Sequence, residues 1–483
     1  MNVTLSLVSH TNAGKTTLAR TLLGRDIGEV RDAPHVTTEA SAHPLIETPE
    51  GDALVLWDTP GFGDSARLAK RLALEGNPVG WFLTQVWDRF RDRAFFLTQR
   101  AVRNVRDEAD VVLYLVNAAE DPADAGYFAP ELAILAWMGK PVLLLLNQTG
   151  PAHVEDDIAR WRRALVAHPH VRGVIAFDAF ARCWVQEFTL FDEIGDAVPD
   201  AKRAAFERLA AAWQARRFAQ FDASMAALAR VVAASACARV VVPRPAMLRR
   251  IGAALGVGDD AAKGDEERAA KALAADVNAR MREAMEMLIA EYDLSGRAAA
   301  DVEAHLARDI AHEGPVDEGK AAAMGGVLSG AMTGLAADLA AGGLTFGAGM
   351  LTGAVLGALG GAGIARAFNV ARGQTDETIR FDDAFVERLV ADVLLRYLAV
   401  AHYGRGRGEF VEGEAPAGWR GMIGSAVAAR RDGLAAILAA RIPDGDAEAI
   451  AHALTAYLRE VMLAVLDDLY PGALAARNDD RQA

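Results

Sequence analysis

VTLSLVSHTNAGKTT, residues Val3 to Thr17, joins an apolar run to a polar turn closed by Gly-Lys-Thr-Thr. The run up to Ser9 predicts a buried strand. Ala13-Gly14-Lys15-Thr16-Thr17 then opens a helix with apolar positions at Leu18, Leu22 and Leu23, ending at Gly24. Backbone N–H groups at such a helix start converge on an anion, and the helix dipole adds positive potential there. The pattern is a phosphate-binding loop with Ser9 in place of its first glycine. In that reading Lys15 reaches the β- and γ-phosphates and the Thr16 hydroxyl sits on Mg²⁺. An ordinary strand-turn-helix corner is the competing reading of this stretch alone.

A second motif narrows the choice. Asp52 to Trp57 (DALVLW) is another buried strand, and Asp58-Thr59-Pro60-Gly61 follows it. In P-loop NTPases an aspartate here holds the Mg²⁺ water shell, and the following glycine's N–H meets the γ-phosphate. Between the motifs lies a polar, Gly- and Pro-punctuated segment, Gly28 to Ala42, containing Thr37 and Thr38. A nucleotide-sensing loop with a metal-binding threonine belongs there. Three elements in this order predict a nucleotide-binding domain.

The sequence Ser9-His10-Thr11-Asn12-Ala13-Gly14-Lys15-Thr16, with Thr37-Thr38 and DTPG, resembles the Era/TrmE-type bacterial P-loop GTPases. The resemblance covers about the first 200 residues; the remainder looks like an uncharacterised helical domain fused to such GTPases. It implies GTP and GDP as ligands, bound by Asn12, Ala13, Gly14, Lys15, Thr16, Thr17, Asp58, Gly61 and Asn147. It also implies Mg²⁺ at Thr16, Thr37, Thr38 and Asp58, with Lys15 and Thr38 assisting hydrolysis. Some relatives hold K⁺ through the asparagine matching Asn12; a turn-forming role is the alternative for it.

Two family positions depart. After the apolar strand Pro141 to Leu146 comes Asn147-Gln148-Thr149-Gly150, where the family carries Asn-Lys-x-Asp. Gly150 thus replaces the carboxylate that reads guanine, and a site without its polar partner loses discrimination. Asp156 and Asp178 are the nearby acids that could substitute. The strand Val171 to Phe177 is followed by Asp178-Ala179-Phe180, which does not match the family's Ser-Ala-Lys-like loop. Phe62 stands where Ras-like proteins place the water-orienting glutamine, which predicts slow turnover. His10 reads as a solvent-facing loop residue.

At 483 residues the chain exceeds one compact core. A net charge of −14 argues against a nucleic-acid backbone as ligand, so no nucleic acid is expected. Cys183 and Cys237 lack metal-ligand spacing and read as buried small apolar residues. The first residues enter a core strand at once, leaving no room for a signal peptide. A cytoplasmic protein is expected, or one at the cytoplasmic face of the inner membrane.

Strand and helix patterns alternate to about residue 195, with further strands at Val111 to Asn117 and those named above. The fold class expected is α/β: a P-loop NTPase domain over 1–198, its mostly parallel sheet flanked by helices, followed by a large all-α domain over 199–483. An aromatic-rich helical insertion spans about 64–110 (Trp81, Phe82, Trp87, Phe90, Phe95, Phe96). It occupies the second switch and can report the γ-phosphate to a partner. Packing onto the C-terminal domain as core is the preferred alternative.

From Ala201 helices dominate, with a loop expected at Pro243-Arg244-Pro245 and a polar break at Gly256 to Glu267. Residues 321–365 carry one charge, Asp338, and glycines at every fourth position in two runs. On helices this makes close-packing strips, long enough for a hairpin inserted from the cytoplasmic side. Two buried helices of a soluble domain would look the same. Gly404-Arg405-Gly406-Arg407-Gly408 reads as a flexible basic loop that could touch lipid headgroups.

The expected function is a GTP-binding switch with slow hydrolysis, coupled to a helical, membrane-associated domain with an unnamed protein effector. A non-hydrolysing or base-promiscuous nucleotide-binding module is one alternative. A membrane-remodelling or pore-like protein gated by the nucleotide domain is the other.

Overall fold

β4 (Val111–Asn117) and β5 (Val142–Asn147) are near-continuous apolar runs, β1 (Asn2–Ser9) alternates apolar with small polar residues, and all three lie inside a six-stranded sheet. Strands covered on both faces read as apolar runs, and the polar residues buried in β1, Ser6 and Ser9, are small. The computed structural model describes residues 1–11, 13–24, 41–73, 93–149, 154–178, 183–242, 259–294, 377–403, 418–441 and 447–474. The sheet order is β2-β3-β1-β4-β5-β6, with β2 (Ser41–Glu47), β3 (Ala53–Asp58) and β6 (Val171–Ala176) completing it. Every pairing is parallel except β2 with β3.

β2 is absent from the sequence reading. Its segment SAHPLIE holds Pro44, has one well-buried residue, Leu45, and breaks register between Pro44 and Ile46. Proline lacks the ladder N–H, so such a strand survives only at an edge, where it sits.

The helices of this first unit are α1 (Lys15–Leu23), α2 (Ser65–Ala73), α3 (Arg93–Glu108), α4 (Phe128–Met138), α5 (Val154–Ala164) and α6 (Trp184–Ala197). Within the 64–110 insertion, Phe95 is buried beside Leu68, Leu72 and Val102 in this unit's own core rather than in the C-terminal domain. Arg67 lies over its ring at 3.9 Å. Trp81, Phe82, Trp87 and Phe90 lie outside the described residues. Cys183 is buried as expected, whereas Cys237 is only partly so.

α7 (Asp200–Cys237) begins in this unit and stacks Phe206 and Trp213 on Phe191 of α6. Beneath that stack the Glu187 carboxylate is fully buried and accepts from Trp213 Nε1 and from Arg217 Nε and Nη2, both at 2.8 Å. Removing one partner of a buried ion pair leaves the other charge uncompensated, at about 3–5 kcal/mol. Arg217→Met is therefore expected to lower stability by about that amount, read from denaturant midpoints at unchanged slope. A loss under about 1 kcal/mol would mean that the remaining partners, Trp213 among them, satisfy the carboxylate.

The chain divides into two compact units, one holding Met1–Phe218 and the other Ala219–Ala401 with Phe410–Pro471. The second is largely helical: α8 (Asp259–Glu291), α9 (Asp383–Ala401), α10 (Trp419–Ala429), α11 (Arg431–Ala439) and α12 (Ala447–Leu469). α8 starts inside the expected polar break at 256–267. A two-stranded antiparallel ribbon, β7 (Arg239–Val242) with β8 (Glu377–Arg380), adds strand to a region read as all-α. α9 buries Val386, Leu389, Val390, Val393 and Tyr397, whose hydroxyl meets that of Tyr292 at 2.9 Å. Among the described residues α12 alone is long and apolar enough to cross a membrane, yet half of its most apolar window is buried, as in a core helix. The glycine-rich segment 321–365 and the loop 404–408 lie outside the described residues.

Candidate functional site

Gly14 turns the chain from β1 into α1 at φ +88°. Only glycine adopts that left-handed conformation without strain. A Cβ at Gly14 would stand 2.7 Å from Asn147 Nδ2, so the turn also needs glycine for room. The turn delivers Lys15 and Thr16 to Asp58 at the end of β3. Lys15 Nζ lies 3.2 Å from Asp58 Oδ1, and the Thr16 hydroxyl donates to Oδ2 at 2.9 Å. Lys15 and Asp58 are 7% and 3% exposed, a placement that a lysine tolerates only with a partner. Three of the side chains named for phosphate and metal, Lys15, Thr16 and Asp58, therefore meet at one point.

Asn147 is fully buried, and its Nδ2 donates to the Ala13 carbonyl at 3.1 Å. It thereby fixes the phosphate-binding loop from β5. Gln148, where the family carries lysine, holds φ +58°. Thr17 is buried on α1, and its carbonyl accepts the Thr21 hydroxyl. Gly61 packs against Thr11, where a Cβ would approach the Thr11 backbone to 3.1 Å. Asn12, Thr37, Thr38 and Gly150 lie outside the described residues.

Several contributors were missed in the sequence. The Thr11 hydroxyl accepts the Gly63 N–H at 3.2 Å, and the Phe62 N–H donates to the Ser9 carbonyl at 3.0 Å. Thr59 donates its hydroxyl to the Leu7 carbonyl. His10 is only partly solvent-facing: its side chain is 33% exposed, stacks on Tyr127 at 4.2 Å and meets Glu131 Oε1 through Nδ1 at 2.7 Å. That hydrogen bond raises the His10 pKa against the opposing effect of burial. Glu131 also accepts the Ser65 hydroxyl at 2.6 Å and the Tyr114 hydroxyl at 2.7 Å. Burial and the adjoining carboxylate push Tyr114 well above the usual phenol range. The available signal was one charge in the otherwise apolar run FAPELAILAWM.

Oxygen donors suit Mg²⁺, and the Thr16 hydroxyl beside the Asp58 carboxylate is such a pair. Among the described residues no three His, Cys, Asp or Glu side chains gather as an all-protein metal cage.

Residues 163–442, more than half of the chain, match the domain of unknown function DUF3482. The chain belongs to the DUF3482 family. Its match begins within α5 and takes in β6 and α6 of the sheet domain. Residues 4–148 match the family described as 50S ribosome-binding GTPase, and this part of the DUF3482 protein is a P-loop GTPase domain. GTPase Era of Heliobacterium modesticaldum is 23% identical over 156 residues, 32% of this chain and 42% of Era. GTPase Der of Mycobacterium avium is 28% identical over 207 residues, 42% of this chain and 35% of Der. The chain thus spans less than half the length of these curated relatives. A crystal structure of Era with MgGDPNP and a 16S ribosomal RNA segment aligns at TM-score 0.31 and 18% identity, over 41% of this chain and 57% of that one.

Proposed function

We propose that this protein is a GTP-binding switch that hydrolyses GTP slowly and passes its nucleotide state to the helical unit. The convergence of Lys15 and Thr16 on Asp58 carries the reading, because two separate motifs supply the three side chains. Lys15 would exchange Asp58 for the β- and γ-phosphates, while the amides from Ala13 to Thr16 cradle them. Bound Mg²⁺ would supply positive charge to the phosphate oxygens, held by Thr16 with Asp58 behind it. Thr37 or Thr38 would close over the site, and Asn12 would add K⁺ where that ion is used.

Slow turnover follows from Phe62. It is 2% exposed and carries no group able to orient water. The same observation, with Gly150 at the base-reading position, favours a second reading: a module that binds nucleotide with little base preference and does not turn it over. Membrane attachment through 321–365 is a separate proposal, supported by composition alone. Failure to float with liposomes would remove it. The ribosome in the relatives' family description does not enter here, since a net charge of −14 opposes a nucleic-acid backbone.

The test is equilibrium binding of GTP, GDP, ATP and ADP to the full chain with Mg²⁺ and either K⁺ or Na⁺. Guanine nucleotides are expected to bind at least about tenfold tighter than adenine ones, a difference of 1.4 kcal/mol. Equal binding would establish the base-indifferent module instead. Binding of neither class would end both readings.

A further inference from the structure

Glu131 sits outside both loops that the switch reading uses, yet it joins them. The segment after Asp58 is tied to the end of β1 in four places, the first being the Thr59 hydroxyl on the Leu7 carbonyl. Two more are direct: Phe62 N–H to Ser9, and Gly63 N–H to the Thr11 hydroxyl. The fourth runs through α4, where one fully buried oxygen of Glu131 meets His10 and the first residue of α2, Ser65. Tyr114 of β4 holds the other oxygen.

A carboxylate with no exposure is costly unless donors surround it, and α4 is otherwise apolar. An apolar residue would fill the space at no such cost. What Glu131 adds is a penalty for any displacement of Ser65, because the buried oxygen would then lose a donor. Ser65 lies on the same stretch as Gly61, whose N–H is the group expected to engage the γ-phosphate. Movement of that stretch must therefore either keep the Ser65–Glu131 bond or break it as a discrete step.

We propose that Glu131 is a positioning residue, a latch that makes the start of α2 two-state and ties it to His10 beside the phosphate-binding loop. The proposal rests on the switch reading above. Two discrete arrangements at one buried acceptor are what a switch needs, since packed interiors do not deform continuously.

The experiment is hydrogen exchange of the amides over 61–68 in the full chain, with Mg²⁺ and either GDP or a non-hydrolysable GTP analogue. In the unaltered protein the two nucleotides should give exchange rates differing about tenfold, the weight of one hydrogen bond to a charged group. Ser65→Ala and Glu131→Met should bring the ratio close to one while GDP still binds. Glu131→Gln should keep it: its amide oxygen can accept from His10 and Ser65, and its nitrogen can donate to the Tyr114 oxygen. A full ratio in Ser65→Ala and Glu131→Met would overturn the latch and leave the switch standing. Should Glu131→Met fail to fold, Ser65→Ala decides alone. An unaltered protein whose loop ignores the nucleotide would remove the switch reading, and the latch with it.

Discussion

Gly14→Ala will remove nucleotide binding and lower the melting temperature together. The backbone there has φ +88°, and the new methyl would stand 2.7 Å from Asn147 Nδ2. Asn147 cannot retreat without loss, because it is fully buried and its amide is bonded to the Ala13 carbonyl. Left-handed strain costs about 1–3 kcal/mol, and overpacking a filled site costs about as much again. The relief available is to shift the loop, which misaims the amides and Lys15. Affinity for guanine nucleotide should fall at least about hundredfold, or 2.8 kcal/mol. Gly51→Ala is the control: φ is +83°, but nothing lies within 4 Å of the added carbon. It should lower the melting temperature modestly and leave the affinity alone. Calorimetry and a fluorescent-nucleotide titration read both effects, and Gly14→Ala binding within threefold of the unaltered protein would place the phosphate site elsewhere.

The legible parts of this chain are those whose determinants are local. β4 and β5 are apolar runs and β1 an apolar alternation, their burial needs no knowledge of their neighbours, and Gly14-Lys15-Thr16 acts through its own backbone turn. β2 escaped because Pro44 and mostly exposed side chains give an edge strand no apolar signature. β7 and β8 are four residues each, too short to stand out beside the helical patterns around them, and their pairing joins segments far apart in the chain. At the site, Lys15, Thr16 and Asp58 were readable as motif positions. The part of Asn147 in holding the Ala13 carbonyl was not, since the contact joins residues that only the sheet brings together. The contacts of His10 are illegible for the same reason: Glu131 and Tyr127, which hold it, lie more than a hundred residues on.

Lys15→Ala separates the two duties that the geometry gives this side chain. One is to neutralise Asp58, whose carboxylate is 3% exposed. The other, proposed above, is to meet the phosphates. Losing the first leaves Asp58 with the Thr16 hydroxyl and should cost up to about 3 kcal/mol of stability. Losing the second removes charge-assisted hydrogen bonds of about 1.5–3 kcal/mol each, so affinity for GTP should fall by about two to four decades. Combining Lys15→Ala with Asp58→Asn distinguishes the duties. The double variant no longer buries an uncompensated carboxylate, so unfolding by denaturant should show most of the stability regained. Its affinity should not rise to that of Asp58→Asn alone, which shares the lost carboxylate, because the phosphates still lack their cation. Recovery of both quantities would mean that Lys15 serves Asp58 alone, and the phosphate assignment would then fall with its central residue.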